Sequence, residues 1–121
     1  MNKTQLTLKI CGWSSLFMGG IFFLNPYFYA SIEGANFENI AWLRNLGAAL
    51  ISVNGIGALL AASDPIKEKK LYDVVLIASC LETIALSWST YSWEFSATVY
   101  ELIIIPLILA GLVSVLLLIF R

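Results

Sequence analysis

The residue in this chain most able to do chemistry is Glu82, which stands in Ala78-Ser79-Cys80-Leu81-Glu82-Thr83-Ile84-Ala85-Leu86-Ser87-Trp88, a run otherwise small or apolar. A charge at the centre of a membrane helix costs about 2.5–3.5 kcal/mol, so such a group turns inward, finds a partner, and is a candidate ligand, proton or ion site. Three other residues can share that interior: Arg44 and Asn54 in one apolar segment and Glu101 in another. A second, inner-side pair is predicted between Lys9 and Asp73, which enter their segments at similar depths.

What these groups are not equipped for is equally informative. The chain has no histidine, which removes the usual haem ligand, the commonest zinc ligand and the usual general base. No serine stands in G-x-S-x-G, and no phosphate loop, dinucleotide fingerprint or metal-ligand spacing occurs. The expectation is therefore a protein that is not an enzyme and takes no cofactor. Cys11 and Cys80 lie in separate apolar segments without a C-x-x-C, and both read as buried reduced thiols. A net charge of −1 with no long Lys/Arg block argues against nucleic acid as a partner.

The elements that must position these groups follow from composition. Of 121 residues, 60% are hydrophobic and 12% charged, with a mean hydropathy of +0.85, far from the soluble average of about a quarter charged. The solvent for such a chain is lipid. A spanning helix needs about 20 apolar residues, and four segments qualify, at about 6–24, 40–62, 71–91 and 99–120. The first stops at Asn25-Pro26, since proline disfavours helical geometry in the residue before it. The third starts at 71 or as early as Pro65 behind an Asp64 cap, and Thr98-Val99-Tyr100-Glu101 fits the T-x-x-E box that opens a helix. The predicted fold is all-α: one domain over 1–121, an integral membrane four-helix bundle with antiparallel up-down order.

Lys3, Lys9, Lys67, Lys69, Lys70 and Arg121 all fall at one end of that arrangement, whereas the loops at the other carry Glu33, Glu38 and Glu94. Basic loops stay cytoplasmic, so both termini are expected inside a multi-pass protein of the cell membrane. Tyr27, Phe28, Tyr29, Phe37, Trp42, Tyr91, Trp93 and Phe95 gather at the opposite end, where amphipathic rings suit the membrane–water boundary.

Helices associate in lipid through small residues and interhelical hydrogen bonds rather than apolar burial. Gly12, Ser15 and Gly19 recur at helical spacing in the first segment. Arg44, Ala48, Ile51, Gly55, Ala58 and Ala62 share one face of an ideal second helix, flanked by Gly47 and Asn54. Val75, Ser79, Glu82, Ala85 and Ser89 align in the third. The reach of Glu82 then depends on the turn between helices two and three. A tight turn at Ser63-Asp64 sets Glu82 level with residue 45 and beside Arg44. A turn over 63–70 sets it level with Ile51, about 10 Å deeper, leaves Arg44 to Glu101, and predicts a protonated Glu82, because desolvation raises a carboxyl pKa.

Ala41-Trp42-Leu43-Arg44-Asn45-Leu46-Gly47-Ala48-Ala49-Leu50, continuing to Gly55-Ile56-Gly57-Ala58-Leu59, resembles the second-helix pattern of small bacterial four-helix membrane proteins of the DoxX-like and related kinds. The resemblance covers about 20 of the 121 residues. It implies a four-helix bundle, often a small partner of a larger membrane system, and carries over Arg44 and Gly47. Small multidrug carriers are similar in size, but their membrane glutamate resembles a first-helix feature and Glu82 lies in the third segment.

Two functional expectations follow. The first is a non-catalytic accessory or assembly subunit, or a self-associating bundle, partnered by lipid and by copies of itself or a larger membrane complex. The second is a small proton-coupled carrier or channel protomer using Glu82 and Arg44; a lipid- or quinone-binding module ranks behind both.

Overall fold

A computed structural model describes residues 2–32, 40–92 and 100–121, the side chains of 30, 32, 40, 42 and 100–103 excepted. Every regular element among them is helical. Three helices, Lys3–Leu24, Leu43–Ser63 and Lys69–Tyr91, are long and apolar enough to cross a membrane, and Ile104–Ile119 is a shorter apolar stretch.

Helix α1 (Lys3–Leu24) begins earlier than periodicity places it, because Asn2 and Gln5 form a reciprocal capping box: the Asn2 side chain accepts from the Gln5 amide and the Gln5 side chain from the Asn2 amide. It stops at Asn25, and Pro26 opens the short α2 (Pro26–Ile32), where a missing N–H costs nothing in a first turn. The second long element is not uniform. It runs as α3 (Ile40–Ala49), an eight-residue π-helical segment (Leu50–Gly57) and α4 (Ala58–Ser63). A turn over 65–68 follows, tied by Asp64 Oδ1 accepting from the Lys67 amide at 3.1 Å, then α5 (Lys69–Tyr91) and α6 (Tyr100–Ile119). The predicted opening box at Thr98 lies outside the described residues.

Glycine sets the tightest contact. A Cβ built at Gly47 would stand 2.7 Å from the Phe23 nitrogen and 2.8 Å from the Gly19 carbonyl oxygen; one at Gly19 would stand 2.9 Å from the Gly47 oxygen. Two turns down, a Cβ at Gly12 would lie 3.0 Å from the Gly55 oxygen. Hence α1 and the second element meet backbone to backbone, the close approach that small residues permit in membrane helices.

A second pair, α5 with α6, joins the first through a shared core at one end. Leu8, Cys11, Ala58, Ala61, Ala62, Tyr72, Val75, Leu76, Val113 and Leu117 make up this shared core. Its rim satisfies helix-end carbonyls that lack an intrahelical donor. Gln5 Nε2 donates to Ala62 O at 3.2 Å, Thr4 Oγ1 to Phe120 O at 3.0 Å, and the buried Tyr72 hydroxyl to Leu117 O. Each donor sits in the first turn or two of α1 or α5, and each acceptor near the end of α4 or α6. The antiparallel order thus lets two helix starts cap two helix ends. Beyond this zone burial falls off along α5 and α6. Among the described side chains, none of α5 after Ser79 and none of α6 before Val113 is buried.

Candidate functional site

At the edge of the shared core, Asn54 meets Glu82. Asn54 comes from the π-helical segment and is 3% exposed; its Nδ2 donates to Glu82 Oε2 at 3.0 Å. The neighbourhood is polar on three helices. The Cys11 thiol of α1 lies 3.8 Å from the Asn54 carbonyl oxygen, with Ser15 and Ser79 beside it, and Ser79 is buried. On the other flank of α5, the hydroxyls of Thr83 and Ser114 meet at 3.1 Å and turn back to the carbonyls of Ser79 and Ala110. Carboxylate, carboxamide, thiol and hydroxyls therefore converge at mid-length of the long helices, within a mostly apolar surround.

Register explains which partner Glu82 obtains. Because the turn occupies 65–68 and α5 starts only at Lys69, residue 82 falls level with the π-helical segment, as the wide-turn count predicts, and about 15 Å along the axis from Arg44 at 1.5 Å per residue. Arg44 is exposed and makes no ion pair among the described residues. The wide turn is the register in which Glu82 is not beside Arg44, and its partner is Asn54. The π-helical segment contributes to the same outcome. Its i→i+5 bonds widen the turn, so the straight-helix face predicted for Arg44, Ala48, Ile51, Gly55, Ala58 and Ala62 is broken. Arg44 and Ala48 face outward, whereas Gly55, Ala58 and Ala62 are buried. Among the described side chains of α3, Leu43 and Gly47 are the buried ones instead.

The inner-side pair is also rearranged. Asp73 is bound by Arg121, not Lys9, through Nε to Oδ1 at 2.8 Å and a second guanidinium nitrogen to Oδ2 at 3.1 Å. Lys9 is exposed, because the inward face of α1 at that level is taken by Leu8, Cys11 and Gly12. The Asp73 carboxylate holds the Arg121 guanidinium above its ordinary value. The side chain of Glu101 lies outside the described residues.

Sequence reasoning placed Asn54 in the polar cluster but did not foresee the π-helical turn that carries it. The available signal is Ser52-Val53-Asn54-Gly55-Ile56-Gly57, a concentration of polar and glycine residues at the middle of an apolar segment. Stretches of π-helix inside α-helices frequently coincide with functional sites. Among the described residues no three potential metal-ligating side chains cluster. An open hollow of about 720 Å³ at the far end of the shared core, lined in part by Gln5, Ser63, Lys69 and Arg121, is a zone of capping contacts.

Comparison with protein-family models, with curated proteins and with solved structures finds no match.

Proposed function

We propose that this chain is a small non-catalytic integral membrane protein. It crosses the cell membrane four times as an antiparallel up-down bundle, with both termini cytoplasmic, and acts by association, as an accessory or assembly subunit or with copies of itself. The observation that carries association is the outer face of the second long helix. Arg44, Asn45, Ala48, Ala49 and Ser52 are all exposed there. Lipid tails gain nothing from such a face, whereas a helix packed against it would gain close approach and hydrogen bonds. Lys3, Lys67, Lys69, Lys70 and Arg121 at the shared-core end support the orientation.

Two measurements test this. A thiol placed by Ile66→Cys, at a turn position 90% exposed, should react with an impermeant reagent from the cytoplasmic side only. In mild detergent the wild type should run as an assembly or carry a membrane partner, and Ala48→Phe should release it without lowering the unfolding temperature. A wild type that is a lone monomer and captures no membrane protein contradicts the association reading.

The second reading, a small carrier or channel protomer, is favoured by one observation: Glu82 has a carboxamide partner but no cation among the described residues. Four helices enclose little volume, so this reading requires a dimer or larger assembly around the site. Flux into liposomes that is unchanged by Glu82→Gln contradicts it.

A further inference from the structure

We propose that the hollow at the far end of the shared core binds the phosphate group of an anionic lipid headgroup, with Lys69 and Arg121 as its cations.

Depth comes first. The hollow, about 720 Å³, is lined from four helix ends: Thr4 and Gln5 in the first turn of α1, Ser63 at the end of α4, Lys69 at the start of α5, and Arg121 just past α6. The apolar helices begin or stop at these same places, at Lys3, Ser63, Lys69 and Ile119. In a bilayer the ends of spanning helices lie where hydrocarbon gives way to headgroups, so the hollow sits at headgroup depth.

Charge selects the ligand. Residues 2–5, 63–73 and 120–121 carry five basic side chains and three acidic ones. Asp64, the acid in the lining, turns Oδ1 to the Lys67 amide at 3.1 Å, and Asp73 is paired with Arg121. The cations keep donors in reserve. Lys69 Nζ makes one long bond, 3.4 Å to the Arg121 main-chain oxygen, and an ammonium has three protons. Asp73 takes Nε and one terminal nitrogen of Arg121, and the third nitrogen of the guanidinium is a donor suited to phosphate. The neutral side chains, by contrast, are already used: Thr4 donates to Phe120 O, Gln5 to Ala62 O and Ser63 to Leu60 O. Basic pockets between membrane helices bind anionic headgroups in this way.

The remaining walls favour a lipid over free phosphate. Pro65, Ile66 and Phe120 share the lining, and Ile66 is 90% exposed. The glycerol and first methylenes of a lipid can cover such side chains, whereas a hydrated phosphate ion cannot.

This inference goes beyond the association reading above and rests on the chain spanning the membrane, in either orientation. The test uses the full chain in mild detergent at about 0.15 M salt, where charges more than about 8 Å apart are largely screened. Dioleoylphosphatidylglycerol is the probe, dioleoylphosphatidylcholine its zwitterionic counterpart and inorganic phosphate the competitor, with bound lipid counted by native mass spectrometry. The glycerol lipid should bind saturably, and the choline lipid about tenfold or more weakly. Lys69→Gln should weaken binding about tenfold. Lys67→Gln and Lys70→Gln, which lose the same charge outside the lining, should stay within about twofold of wild type. Arg121→Gln should also weaken it, whereas Asp73→Asn, which breaks the same ion pair but keeps the cation, should not. Unfolding temperatures of the variants separate loss of the site from loss of the fold. Should Lys69→Gln unfold, the contrast between Arg121→Gln and Asp73→Asn decides. No saturable binding, equal binding of the choline lipid, or equal losses at Lys67, Lys69 and Lys70 overturns the site. Displacement of the lipid by an equal concentration of inorganic phosphate overturns the lipid as its ligand. Retention of the chain in membranes after alkaline washing is scored separately, so failure of the site leaves the membrane reading standing and failure of that reading is seen as such.

Discussion

Gly19 and Gly47 oppose one another across the contact between α1 and α3 with no room for a methyl group on either: a Cβ at one would approach the carbonyl oxygen of the other to 2.9 or 2.8 Å. Since the obstructing atoms are backbone, relief requires the helices to separate. Gly19→Ala and Gly47→Ala should each cost about 1–3 kcal/mol, the usual penalty for overpacking. Gly20, with nothing within 4 Å of its Cβ position, is the internal control. Gly20→Ala should be neutral or stabilising by up to about 1 kcal/mol, because glycine is the poorer helix former. Unfolding of the three variants in one detergent checks the contrast.

Gly55 should be more forgiving than Gly47. The atoms a Cβ would meet first belong to Leu16, at 2.8 Å from Cδ2 and 2.9 Å from Cγ, and a side chain can change rotamer where a backbone cannot. Gly55→Ala should therefore destabilise less than Gly47→Ala, and combining it with Leu16→Ala should recover part of the loss. The same unfolding measurement, made on the double variant, decides.

Tyr72 is 1% exposed, and its hydroxyl is a donor to the Leu117 carbonyl, in the last turn of α6. Tyr72→Phe keeps the ring and leaves that oxygen without its partner, a loss of about 1–3 kcal/mol for a buried acceptor. Thr4→Val, which removes the half-buried bond to Phe120 O, should cost less because water can replace the hydroxyl. Denaturation of the pair in parallel tests the ranking.

The π-helical segment predicts an unusual deletion phenotype. Ser52 is exposed and its hydroxyl bonds only to carbonyls of its own helix, at Ala48 and Ala49. Ser52→Ala should stay within about 0.5 kcal/mol of wild type. Deleting Ser52 outright shortens the wide turn and rotates Leu43 and Gly47 relative to Asn54 and Gly55. The deletion should thus break either the Gly19–Gly47 contact or the Asn54–Glu82 bond, and a large fall in unfolding temperature should record it.

These features differ in how openly the sequence displays them. The apolar segments and their ends are legible because helix length, Asn25-Pro26 and Ser63-Asp64-Pro65 act locally. Gly12, Gly19 and Gly47 stand out for the same reason. What is not legible is phase. A projection at constant pitch sets Arg44 on the face of Gly55 and Ala58, and only the wider turn between them, a cooperative property of eight residues, turns Arg44 outward. The partner of Asp73 was missed for a related reason: Lys9 and Arg121 both sit at its level, and the direction each helix faces, not depth, chooses between them. Asn2-Lys3-Thr4-Gln5 has capping-box spacing, but it lies ahead of the first apolar residue, so hydropathy alone starts the helix too late.

Asn54 and Glu82 form a polar link between the two helix pairs at mid-length of the long helices. A double-mutant cycle with Asn54→Ala, Glu82→Ala and both together, read as unfolding free energy in a single lipid composition, measures that link alone. A favourable coupling is expected at about 0.6 kcal/mol, the average for interhelical hydrogen bonds in membranes, and no more than about 1.7 kcal/mol. Single effects that simply add, to within about 0.3 kcal/mol, would contradict it.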